Sequence, residues 1–335
     1  MRDPAGSRTE IEDELLADVS VEDGWRLIER FSGLVRESGT DDERAAAQYI
    51  VSELERLGVP HRVHEPELYL SRPIAARVEA GGGPTLEAKP SSFSASTPEG
   101  GVAAELVHVP TSETEGVGDL FDDHHIETGV SLEGKIVVTD GFGMPGEVRR
   151  FEEAGAVGQI YVNPDENIHW GICTPVWGTP TDHDRERIPS TPVVAVNRAD
   201  GEALVDRLAD GGPVHARLHA RLEEGWERCP LPVAEIPGRR EEFLLVHGHY
   251  DSWDVGVGDN AVGDATLLEL ARIFDAHRDR LERSLRVAWW PGHSTGRYAG
   301  STWYADRHAM DLRKRCVAAV NIDSPGCWKA TEYDD

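Results

Sequence analysis

Imidazole and carboxylate groups crowd into one short stretch of this chain. His249-Tyr250-Asp251 is followed by a glycine-rich loop that carries Asp259-Asn260. Both kinds of side chain are ligands that a zinc ion accepts. Two later stretches end in residues of the same kind. Leu285-Arg286-Val287-Ala288-Trp289-Trp290 runs into Pro291-Gly292-His293-Ser294, and Cys316-Val317-Ala318-Ala319-Val320-Asn321-Ile322 runs into Asp323. A lone histidine or aspartate at a strand end is most often a cap or a solvated loop residue. Successive apolar runs that each deliver a donor at the carboxyl end point instead to a metal site.

The elements that would position these residues are legible. Phe243-Leu244-Leu245-Val246 is an unbroken apolar run and reads as a buried strand. Ala265 to Phe274 has apolar residues at helical spacing and reads as the helix that follows. The donors thus lie beyond the carboxyl ends of strands, where open α/β sheets bind their ligands. His247 shares a strand face with His249. It reads as an ordinary hydrogen-bonded histidine, with a supporting role or an extra ligand as alternatives.

These residues resemble peptidase family M28, the zinc aminopeptidases and carboxypeptidases that include the glutamate carboxypeptidase branch. The family pattern is His-x-Asp, a loop with Asp-Asn, a Glu-Glu pair, an Asp after a further strand, and a late His. Residues 241–326 are similar to it in all but the Glu-Glu pair and the late His. The segments HYDSW…GDNAVGDATLLELARIF and GSTWYAD carry the resemblance. Ser38 to Val59 is similar to the family's first helix, with Ala46, Ile50, Val51, Leu54 and Leu57 on one face. The resemblance implies an α/β fold, a mixed sheet flanked by helices. It also implies two Zn2+ ions, held by His249, Asp259 and Asp323, with Asp259 bridging. Asp251 would orient His249 by accepting its other ring proton. His293 and Ser294 stand where the family has Glu-Glu. His293 is therefore expected either as a metal ligand or as the catalytic base, since a neutral imidazole does both.

The implied activity is exopeptidase hydrolysis of peptides, in the manner of an aminopeptidase. The missing Glu-Glu pair leaves two alternatives open: a non-catalytic relative that binds or assembles, and a metal-dependent hydrolase of another small amide. No histidine follows Asp323 in this sequence. The expectation is a shortened chain whose missing half is lost, or is supplied by a second copy or a separate C-terminal segment.

Between about residues 75 and 225 the character changes to short strands separated by Gly- and Ser-rich connectors. Strands are expected over Ala103 to Val109, Lys135 to Thr139, Val157 to Val162 and Thr191 to Val196, with a short helix over Gly146 to Gly155. Residues 101–212 resemble a protease-associated (PA) domain, and the implied insert is β-rich. The expected organisation is a discontinuous peptidase domain, 1–74 with 226–335, around a PA-like domain at 75–225. His124-His125 reads as a solvated loop. His169, Cys173 and His183 lack a helix that would align them as ligands.

The formal charge is −27, and the only lysines are Lys89, Lys135, Lys314 and Lys329. Such a surface repels nucleic acid and anionic membranes, so neither is an expected partner. No apolar run reaches the length of a membrane span. The first residues lack the apolar core of a signal peptide, and a cytoplasmic location is expected. Cys316 reads as a buried small hydrophobe. Dense carboxylates on an otherwise foldable chain suggest a halophilic protein, whose self-repulsion is screened by salt. Dialysis from molar to millimolar salt is expected to cost structure. An unchanged circular dichroism spectrum across that range would count against the halophilic reading.

Overall fold

A computed structural model describes residues 10–110 and 130–326 of the chain. His124-His125, Cys327 and the tail from Lys329 lie outside the described residues. The chain forms two compact units. One comprises Met1–Glu67, Arg228–His293 and Gly300–Asp335, and the other Leu68–Glu227 with Ser294–Ala299. The sequence reading placed the insert at 75–225, and the second unit runs over Leu68–Glu227. The short segment 294–299 belongs to it as well, which the sequence reading had given to the peptidase domain.

The first unit opens with α1 (Glu10–Ala17), α2 (Glu22–Phe31), α3 (Asp41–Leu57) and β1 (His61–His64). Thr40 caps α3 by accepting from the Glu43 N–H, and Gly58 closes it in the left-handed conformation. The fully buried Ala46, Ile50 and Leu54 form its inner face.

The second unit contains β2 (Glu67–Ala80), β3 (Thr85–Pro90), β4 (Val102–His108), β5 (Ile136–Asp140), α4 (Pro145–Glu153), β6 (Gly158–Val162), β7 (Val193–Val196), α5 (Arg198–Ala209) and β8 (His215–Arg228). Its strands close a barrel in the order β2-β3-β7-β6-β5-β4-β8. Alternation separates inside from outside. Ile136, Val138, Ile160, Val162, Val194 and Val196 fill the interior. Val137, Tyr161 and Val193 face outward and pack on Val148 and Phe151 of α4.

The chain then returns to the first unit through β9 (Leu231–Ile236), β10 (Arg240–His249), α6 (Val262–Ala276), β11 (Arg283–Trp290), α7 (Ala299–Arg307), α8 (Ala309–Arg315) and β12 (Cys316–Asn321). The sheet order is β1-β9-β11-β10-β12. β9 pairs antiparallel with β1 and β11, and β10 runs parallel to β11 and β12. Both faces of the central strands are covered. Val246, Val287 and Trp289 pack with Leu27, Ile50, Leu267 and Leu268 on one side. Leu245, Ala288 and Trp290 pack with Tyr304 on the other. Burial on both faces is why β10 and β11 read as near-continuous apolar runs. Each fully buried Leu or Phe in these layers contributes roughly 1.5–3 kcal/mol. β12 is an outer strand of the described sheet, and Cys316 is half-exposed there instead of buried. Among the described residues no helix is long and apolar enough to cross a membrane.

Candidate metal centre

Three neighbouring strands deliver the site. β10 ends at His249, and its register partner on β11 is Trp290, three residues before His293. On the other side His247 pairs with Asn321 of β12, two residues before Asp323. Parallel pairing therefore brings the three donors to one end of the sheet. Gly248 allows this close approach, because a Cβ there would lie 2.5 Å from the Ile322 carbonyl oxygen. Asn260 then ties the strand ends together. Its Nδ2 donates to the His249 and Ile322 carbonyls at 3.1 and 3.0 Å, and its Oδ1 accepts from the Ser324 N–H at 2.9 Å.

Donor atoms of His249, His293 and Asp323 all lie within 4.8 Å of one another. Among the described residues this is the one group of three or more His, Cys, Asp or Glu side chains so placed. The His249 and His293 rings stack at 3.9 Å, only 9° from parallel. His249 Nε2 is 2.8 Å from Asp259 Oδ1 and 3.4 Å from Asp323 Oδ1. His249 Nε2 and Asp259 Oδ1 are both buried atoms that face each other as an ion pair without a well-aligned hydrogen bond. One imidazole nitrogen and one carboxylate oxygen are the donor chemistry of zinc. Asp259 stands beside the three-residue group, not within it.

The Nδ1 side of His249 is already committed. Its partner at 2.9 Å is the backbone carbonyl of Asp251. The Asp251 carboxylate stands farther away, at 3.5 Å, and accepts from the His293 N–H at 3.2 Å. The sequence expectation that this carboxylate alone orients His249 is therefore modified: the backbone orients the imidazole, and the carboxylate reaches across to the His293 loop. Gly292, one residue earlier, donates to Ser38 Oγ at 2.7 Å.

Electrostatics separate the two histidines. Burial alone would push His249 down, but Asp251, Asp259 and Asp323 outweigh it and hold the imidazolium well above its ordinary range. Burial lowers His293 to about 4, helped by the positive His249, so its ring is neutral at pH 7. Asp323 also feels burial, which raises it, yet His249 draws it down to about 2. A proton thus stands where a cation would.

Several supporting residues were invisible to pattern reading. Arg36 is fully buried. Its Nε donates to the Tyr250 carbonyl at 2.8 Å, and its Nη1 to Phe31 and Val255 at 3.2 and 2.8 Å. Its Nη2 donates to Gly256 at 3.0 Å. The loop it grips includes Asp254 and Gly256 in left-handed conformations, φ 52° and 51°. At Gly256 a Cβ would strike the Asp259 carbonyl oxygen at 2.3 Å, so only glycine fits. Asp264 is buried nearby, and burial raises its carboxyl while the Arg36 charge pulls against that. Glu43 is buried beneath Asp251, and desolvation raises it to about 8. His247, by contrast, bonds to Asn321 and packs against Trp290, apart from the metal-binding group.

Residues 233–332 match the sequence profile of peptidase family M28, and residues 102–204 match that of the PA domain. These matches give the chain an M28 peptidase region and a PA domain. It is 24% identical over 383 residues to the probable glutamate carboxypeptidase VP8 of Zea mays, covering 96% of this chain and 52% of that protein. It is 26% identical over 292 residues to the probable lipoprotein aminopeptidase LpqL of Mycobacterium tuberculosis, covering 86% and 54%. Among solved structures it is similar to BSAP, a zinc aminopeptidase from Bacillus subtilis. The TM-score is 0.65 and the identity 20%, over 90% of this chain and 68% of that one. That likeness is one of fold. The chain spans about half the length of the curated relatives it matches.

Proposed function

We propose that this chain is the zinc-binding part of an exopeptidase that hydrolyses terminal peptide bonds. The observation that supports it best is the convergence of His249, His293 and Asp323 donor atoms within 4.8 Å at the carboxyl end of a parallel strand trio. His249 would bind through Nε2, because its Nδ1 is held by the Asp251 carbonyl. His293 and Asp323 would complete the set, with Asp259 available beside it. A zinc ion supplies Lewis acidity toward a scissile carbonyl. The Asp251 carboxylate holds the His293 loop in register, and Asn260 holds β10 against β12. The relatives' names include both an aminopeptidase and a glutamate carboxypeptidase, and an aminopeptidase-like action on peptides is our reading between them. The number of ions follows from the donors: the three-residue group supports one zinc, and a second would need Asp259 to bridge outward.

The test is metal analysis of protein purified in molar salt without chelators, paired with hydrolysis of an aminoacyl anilide panel. One zinc per chain with measurable hydrolysis supports the proposal. Two per chain would assign Asp259 the bridging role that the family resemblance implies. No zinc and no hydrolysis would overturn it. Zinc without hydrolysis would favour the non-catalytic reading, which the absence of a Glu-Glu pair at His293-Ser294 already motivates.

A further inference from the structure

The unit that carries the PA domain contains a buried cation, Arg297, that no carboxylate pairs with among the described residues. Arg297 lies in the segment Ser294–Ala299 that joins this unit. The segment is pinned by the Ser71 N–H donating to the Thr295 carbonyl at 2.9 Å and the Gly178 N–H donating to the Arg297 carbonyl at 2.6 Å. Arg297 is only 7% exposed, and its Nε is buried without a hydrogen-bond partner. Among the described residues no carboxylate pairs with its guanidinium. The groups that act on it are burial, Tyr298 and Cys173, a phenol and a buried thiol. A buried charge left unpaired is costly, and proteins keep one where a partner arrives from outside.

The surroundings indicate what that partner carries. The Arg297 Cζ sits 5.2 Å from the Tyr298 ring centroid. Trp177, 66% exposed, packs edge-on against Tyr298 at 5.0 Å. Arg297 and Tyr298 are both held at positive φ, 49° and 67°, a conformation that costs side-chain-bearing residues energy. The backbone is thus fixed in an unfavourable form that presents a guanidinium and an aromatic ledge together.

We propose that Arg297, Tyr298 and Trp177 form a binding site for a carboxylate that carries an apolar or planar body. The guanidinium fork matches the two oxygens of a carboxylate. The open Trp177 face takes the body of the ligand. The site lies within the PA-bearing unit and is independent of the reading of the metal centre.

The experiment is isothermal titration calorimetry of the full chain with hippurate, neutral hippuramide and inorganic phosphate. Hippurate is expected to bind, and hippuramide not to bind. Arg297→Gln is expected to weaken hippurate by about tenfold or more, the loss of a charge-assisted pair. Arg297→Lys keeps the charge without the fork and is expected to fall between. Trp177→Ala, a change on the surface, is expected to weaken hippurate by roughly threefold or more. Stripping metal from the parental chain with a chelator is expected to leave the affinity unchanged, which separates this site from any carboxylate bound at the metal centre. Equal binding of hippurate and hippuramide would overturn the proposal. So would phosphate binding more tightly than hippurate, loss of hippurate binding on chelation of metal from the parental chain, or Arg297→Gln and Arg297→Lys both retaining parental affinity. Should Arg297→Gln fail to fold, Arg297→Lys and Trp177→Ala still decide the matter.

Discussion

Replacing His249 by alanine is expected to strip the chain of bound zinc and to bring any peptide hydrolysis to background. His249 reaches both Asp259 and Asp323, at 2.8 and 3.4 Å. Alanine would leave buried carboxylate oxygens facing one another without the cation that now separates them, and mutual repulsion would splay the strand ends. The contrast with Asp251 is informative. Its carboxylate supports the His293 loop while the backbone carbonyl holds His249, so Asp251→Ala should lower zinc affinity by only about 10–100-fold, as expected for a residue that orients a ligand. The metal-free state also makes a sign prediction. His249 keeps its proton because three carboxylates stabilise it, so zinc must displace that proton. Zinc affinity should therefore weaken as pH falls. Calorimetry in buffers of different ionisation enthalpy would report protons released per zinc bound. Zinc retained by His249→Ala at parental affinity would remove this histidine from the site.

Replacing Arg36 by methionine is expected to destabilise the first unit by about 4 kcal/mol, the largest effect on stability of any single change considered. The substitution keeps much of the apolar stem but removes four hydrogen bonds. The carbonyls of Phe31, Tyr250, Val255 and Gly256 lose their donor in the interior, where water does not replace it. Asp264 loses the positive charge that offsets its burial. For a unit of this size the change corresponds to a fall in melting temperature of about 10 °C. Arg36→Lys should recover only part of it, because an ammonium cannot present donors in the same planar fork. Zinc affinity should fall as well, since the grip of Arg36 shapes the loop that leads to Asp259. Thermal melts of the two variants within about 2 °C of the parent would show that the loop holds its form without Arg36.

The contrast between His249 and Arg36 shows what was legible in the sequence. Strands buried on both faces read as apolar runs, and their ends are marked by the donors themselves, so β10, β11 and β12 were placed with His249, His293 and Asp323 beyond them. Short apolar runs between turn residues likewise gave β4, β5, β6 and β7, but not β2, β3 and β8. The closure of the barrel was not legible, because it depends on pairings between strands far apart in the chain. Arg36 was missed for the same reason. Three of its four acceptors lie more than 200 residues away, and an isolated arginine carries no local pattern. Asp251 was assigned to His249 by its carboxylate, and its carbonyl, which pattern reading did not consider, lies nearer the ring, at 2.9 against 3.5 Å. Cys316 was expected in the core because a strand's pattern does not tell which edge of a sheet it will occupy. The fate of residues 294–299 was also hidden, since the preceding His293 belongs to a different unit.

The pairing of β1 with β9 has a consequence for how the chain finds its fold. These strands are neighbours in the sheet, with Val63 opposite Pro232, yet the entire barrel lies between them in sequence. The chain enters and leaves the barrel strands where the Cys229 N–H donates to the Pro66 carbonyl at 3.1 Å. Closing so long a loop as a flexible polymer carries an entropic cost that grows with the logarithm of its length. A barrel that has folded by itself reduces that loop to a short stem, and β1 and β9 then meet as the arms of a hairpin would. The order of events during synthesis favours this route, because the barrel is complete before β9 emerges. The insert thereby acts as a kinetic scaffold, turning a high-contact-order sheet into one assembled from effectively local pairings.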